Sequence, residues 1–155
     1  MKSKKKLMTR AMGLTAVLFM LHTGAPLMAG EVERAVDYRQ GVMNVFSWNM
    51  KAMGSMMEGK TPFDQKLFAE YARELATAAQ FNLISGFPED SESDESDALA
   101  EIWMDFEDFE AKYRDLGDTA KALSKAATQG DKANLGMALK ETGKTCKACH
   151  KKYKN

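Results

Sequence analysis

The 155-residue chain has three prolines, two cysteines, two histidines and no surplus of charge of either sign. Each shortage excludes something. With proline confined to Pro26, Pro62 and Pro88, long tracts contain nothing that must interrupt a helix. Two cysteines cannot build a disulfide framework or a four-thiolate metal site. No segment alternates apolar and polar residues with a period of two, so no strand is expected, and no internal repeat is seen. The apolar stretch Ala11–Leu21 is well short of the roughly 20 residues that a membrane span needs, which argues against a permanent membrane anchor.

What stands around that stretch is an export signal. Lys2, Lys4, Lys5, Lys6 and Arg10 precede it and small residues follow it, so residues 1–29 are expected to be removed after Ala29 or one residue later. Residues 30–155 are then expected to be a single domain in the periplasm. Five basic residues leave with the signal, so 22 Lys and Arg against 22 Asp and Glu become 17 against 22. A mildly acidic protein is not expected to bind nucleic acid. The only histidine left is His150.

Four stretches carry a helical period. The first, Glu31 to Glu58, steps through Val32, Val36, Arg39, Met43, Phe46, Met50, Met53 and Met57, and Gly59 ends it. The second is expected to start at Thr61–Pro62, with Thr61 as cap and proline in the first helical position, and to run to Ser85–Gly86. An acidic, serine-spaced segment from Phe87 to Asp97 follows. It lacks the ligand spacing and central glycine of a calcium loop and is taken as a solvated connection. The third helix steps by threes and fours from Leu99 to Ala127, and Gly130 ends it. Asp131 is placed to cap the fourth, which carries Leu135, Leu139, Thr142, Cys146, Cys149 and Tyr153. The fold class is therefore all-α, an antiparallel four-helix bundle whose long core can hold a flat ligand.

The chemistry is concentrated in "CKACH", Cys146 to His150. On a helix, positions three and four apart share a face, so both thiols and the imidazole project into one sector. Two such thiols can form thioether bonds to the vinyl groups of a haem, and the adjacent imidazole can reach its iron. Three other readings fit less well. A redox Cys-x-x-Cys sits at a helix N-terminus after a strand, whereas this pair lies near a helix C-terminus. Zinc needs four ligands. A disulfide between helical positions three apart is strained.

Arg39 occupies the inward seam of the first helix, where a guanidinium needs an anion, and a haem propionate would supply one. Alternatively it reaches outward along its apolar stem or pairs with an acid from another helix. Gln40 can share the propionate. Met43, one turn beyond, either ligates the iron or packs over its open face.

The motifs "YRQGVM" (Tyr38–Met43), "GKTPFD" (Gly59–Asp64), "EIW" (Glu101–Trp103) and "CKACH" together resemble the cytochrome c′ and cytochrome c556 family over nearly all of residues 30–155. The resemblance implies one covalent haem c with its iron, attached at Cys146 and Cys149, with His150 as proximal ligand. It implies Arg39 and Gln40 at a propionate, Ser91 and Glu92 at the haem edge, and Met43 on the distal side. Met43 would be a ligand in low-spin c556 members and an apolar lid in five-coordinate cytochromes c′. Lys154 stands where many cytochromes c′ carry a proximal arginine or lysine. Family members are often homodimers packed through the first helix.

Two functions follow. With Met43 as ligand the protein is a periplasmic monohaem electron carrier, acting through iron bound by His150 and serving a redox partner that the sequence does not name. With Met43 as lid it binds a diatomic gas, NO or CO. Lys140, Lys144, Lys147, Lys151 and Lys154 run beside the cysteines, either as a solvated face or as a guide for an acidic partner. With no nucleophile–base pair and no carboxylate dyad in a plausible site, no enzymatic turnover is expected.

Overall fold

The computed structural model describes residues 29–155. The expected export signal, residues 1–29, lies outside the described residues except for Ala29, which opens the first helix. Four long helices are present: α1 (Ala29–Met57), α2 (Gln65–Ala78), α4 (Phe106–Gln129) and α5 (Lys132–Tyr153), with a one-turn α3 (Glu101–Met104) ahead of α4. A 3₁₀ turn, Leu83–Gly86, opens the connection between α2 and α3. Helix α1 packs on α2, α2 on α4 and α4 on α5, while α1 and α5 touch more lightly. The expected bundle is thus present, and the light α1–α5 seam is where its interior opens.

Local chemistry sets the helix ends. The Asp131 side chain accepts from Ala133 N at 3.0 Å and Asn134 N at 3.5 Å, capping α5 as expected. Gly59 (φ 73°) and Gly130 (φ 76°) take the left-handed conformation that follows α1 and α4. Helix α2 begins three residues later than Thr61–Pro62 suggests, because Asp64 is the cap and accepts from Leu67 N at 3.0 Å. It also ends earlier, at Ala78.

The third expected helix is not continuous. Asp105 leaves helical geometry (φ −138°, ψ 59°) and divides α3 from α4. Its carboxylate binds Lys152 Nζ at 2.6 Å, and its carbonyl accepts from the Tyr153 hydroxyl at 3.2 Å. The break therefore serves contacts with the end of α5.

On α1 the buried line is Val36, Arg39, Val42, Phe46, Asn49, Met53 and Met56, with Met43, Met50 and Met57 half-buried beside it. The expected seam is therefore shifted partly to one side. Val42, Asn49 and Met56 take the centre, and Met43 and Met50 face the opening toward α5.

Candidate haem site

A cavity of about 580 Å³ lies between α1, the segment from Leu83 to Ala98, α4 and α5. That volume falls in the ordinary range for small-molecule sites, ~300–1,000 Å³. Helix α5 contributes Cys146, Cys149 and His150 to its lining, and α1 contributes Arg39, Gln40, Met43 and Met50. Six of the eight residues expected at the site thus share one cavity. Phe46, Leu83, Phe87, Ile102 and Phe109 make much of the rest of the wall apolar.

Burial controls the protonation of the α5 groups. It pushes the Cys149 thiol up to about 11 and raises that of Cys146, so both stay neutral near pH 7. A thiolate-dependent zinc or redox site would need the opposite shift. Burial, with a smaller push from Lys154, lowers the pKa of His150 and favours the neutral imidazole, the form that ligates a metal.

Arg39 points inward and is only 2% exposed. Nη1 donates to Gly86 O at 3.2 Å and Ser91 Oγ at 3.3 Å, and Nη2 donates to Ser91 O at 3.1 Å. The guanidinium also lies 4.9 Å from the Phe87 ring centroid and 5.8 Å from that of Trp103. Trp103 is held in turn by its Nε1 donating to Pro88 O at 2.8 Å. No carboxylate pairs with Arg39 among the described residues, and its buried Nε has no hydrogen-bond partner. Of the alternatives open at the sequence level, neither the outward arginine nor the arginine paired with an acid is what the structure holds.

Gln40 is exposed at the cavity edge, its Nε2 donating to Glu95 O at 2.8 Å. Ser91 and Glu92 do not line the cavity. Asp90, at φ 61°, turns the loop so that Ser91 is fully buried behind Arg39, and Glu92 is exposed to solvent. Tyr153, on the same seam as the cysteines, lines the cavity as well, and the structure adds Phe87 and Trp103 around Arg39, Lys112 in the lining, and Asp108 bonded to Tyr153 at 2.6 Å. The one local signal was the aromatic in "EIW"; the other partners come from distant segments.

These residues fit a covalently attached haem. Two neutral thiols share one helix face with a neutral imidazole, an apolar cavity lies beside them, and the buried guanidinium of Arg39, paired with no carboxylate among the described residues, lines its wall. Cys146 and Cys149 would attach the group, His150 would bind its metal, and Arg39 with Gln40 would receive its carboxylates.

The family model described as "Cytochrome C'" matches residues 34–154. Cytochrome c prime from Shewanella frigidimarina superimposes with a TM-score of 0.77 at 37% identity, covering 80% of this chain and 96% of that one. A nitric oxide complex of a cytochrome c prime variant from Alcaligenes xylosoxidans gives a TM-score of 0.72 at 31% identity, covering 80% and 96%. Cytochrome c-556 from Agrobacterium fabrum is 35% identical, covering 90% of this chain and 91% of its own.

Proposed function

The chain belongs to the cytochrome c′ family, and from that premise we propose that it is a periplasmic monohaem c-type cytochrome whose pocket receives a diatomic gas, NO or CO. Its cofactor is one covalent haem c. The proposal takes residues 1–29 as a cleaved export signal and residues 30–155 as the working domain, and it includes no substrate turnover. Among the described residues no helix is long and apolar enough to cross a membrane.

The observation that carries the reading is the cavity itself, with Cys146, Cys149 and His150 on α5 and an α1 wall of Met43, Phe46 and Met50. When bound, haem would supply an iron centre able to change oxidation state and to take a small ligand. The chain's own residues decide what reaches it. Cys146 and Cys149 would hold the group to α5, and His150, kept neutral by burial, would donate its nitrogen lone pair. Arg39, fixed by Gly86 and Ser91 in the cavity wall, would set its positive charge beside a carboxylate. Met43 and Phe46 present apolar surface, which favours a small uncharged ligand over one needing hydrogen bonds. The nitric oxide complex of the Alcaligenes relative supports the same choice.

Met43 also favours a second reading. It is half-buried in the cavity lining, and its thioether, placed on the iron, would leave an electron carrier serving a redox partner. The relation to a cytochrome c-556 supports this alternative. Absorption spectra of oxidised and reduced protein, with and without CO, separate the two. High-spin bands and a ready CO response are expected; low-spin bands indifferent to CO would overturn gas binding in favour of the carrier.

The outer face of α1 supports a homodimer. Tyr38, Val45 and Trp48 lie on one stripe at 39%, 39% and 67% exposure, and a second copy would cover them.

A further inference from the structure

The carbonyls of a helix's last turn have no partners within the helix, so that turn frays most easily. In α5 the last turn includes His150. A ligand to iron placed there would shift with every opening of the turn unless something outside the helix held it. The three residues that follow Lys151 each grip a different part of the fold. Lys152 Nζ reaches Asp105 Oδ2 at 2.6 Å and Asp108 Oδ2 at 2.9 Å, spanning the break between α3 and α4. The Tyr153 hydroxyl donates to the same Asp108 oxygen at 2.6 Å, and its buried ring stands edge-on to Phe109 with centroids 5.4 Å apart. Lys154 Nζ pairs with Asp97 Oδ2 at 2.7 Å. Main-chain bonds close the arrangement: Leu99 N donates to Tyr153 O at 3.0 Å and Asn155 N to Asp97 O at 2.9 Å.

We propose that Lys152, Tyr153 and Lys154 form a clasp that fixes the last turn of α5, and with it His150, against α4 and the loop ending at Leu99. They are positioning residues acting through His150. The inference rests on reading His150 as the iron ligand. An isolated exposed ion pair does little. Here one carboxylate serves two donors on α5 and also Lys112 on α4 at 3.4 Å, and a buried ring anchors the group. The geometry also gives Asp105 a reason to leave the helix, since an unbroken helix from Leu99 would commit its backbone elsewhere.

The test uses the haem-loaded protein, comparing the parent with Lys152→Met/Tyr153→Phe, Lys152→Arg and Asp97→Ala. Amide exchange is followed in the last turn of α5 and, as a folding control, in α2; resonance Raman of the reduced protein reports the iron–histidine stretch. In the double variant, last-turn exchange should rise about tenfold with α2 unchanged, and the stretch should shift or broaden. Lys152→Arg should match the parent. Unchanged exchange would overturn the clasp, and faster exchange with an unchanged stretch would overturn its role in positioning histidine. Should α2 open as well, the double variant has lost its fold and Asp97→Ala decides by the same two readouts. A parent without any haem signal would refute the functional reading instead, while the exchange measurement would still judge the clasp.

Discussion

Arg39 shows how much one side chain can organise. Its guanidinium joins α1 to the carbonyls of Gly86 and Ser91 and lies against two aromatic rings, so the loop following α2 is shaped around it. Gly86 is small for that reason. A Cβ there would stand 2.9 Å from Tyr38 Cδ1 and 3.3 Å from Arg39 Cβ. Gly86→Ala is therefore expected to destabilise the fold by about 1–3 kcal/mol, the usual cost of overpacking, read from denaturant unfolding. Asp108 carries a prediction of opposite character, in its response to acid. Hydrogen bonds from Tyr153 and then Lys152 hold its carboxyl at about 2, against an ordinary 3.8. A depressed acid stabilises the fold above its unfolded value, and the contribution is lost as pH falls from about 4 towards 2. Asp108→Asn should be less stable than the parent at pH 7, with the difference shrinking below pH ~4 and closing near pH 2 in melting experiments.

At the scale of elements, the helices that were legible are those whose information is local. Steps of three and four, Gly59, Gly130 and the Asp131 cap lie within the segments they define. Asp131→Ala should accordingly cost about 1 kcal/mol of stability without changing the cavity, as measured by unfolding and by an unaltered haem spectrum. What could not be read locally depends on partners far along the chain. The interruption at Asp105 serves Lys152 and Tyr153, 47 and 48 residues away. Ser91 turns inward to meet Arg39, 52 residues earlier, and does not line the cavity. The start of α2 differs from the expected one for a smaller reason, since Thr61 and Asp64 are both competent caps and only the fold shows that Asp64 is used. The site's core was legible because Cys146, Cys149 and His150 lie within one helical turn and a half, where spacing alone fixes the shared face.

Over the whole molecule, the lighter contact between α1 and α5 leaves the cavity, while the outer side of α1 presents Tyr38, Val45 and Trp48. One helix thus lines the cavity on one side and, in the proposed dimer, meets a second copy on the other. Trp48→Glu should shift the protein to monomer in analytical ultracentrifugation while leaving its absorption spectrum unchanged; an unaltered sedimentation coefficient would place any dimer contact elsewhere. Whether α5 carries a covalent haem through Cys146 and Cys149 is decided by the intact mass of protein matured in its native host. The mass expected is that of the processed polypeptide plus one haem, with neither cysteine open to alkylation under denaturing conditions. The mass of the polypeptide alone, with both cysteines alkylated, would contradict it.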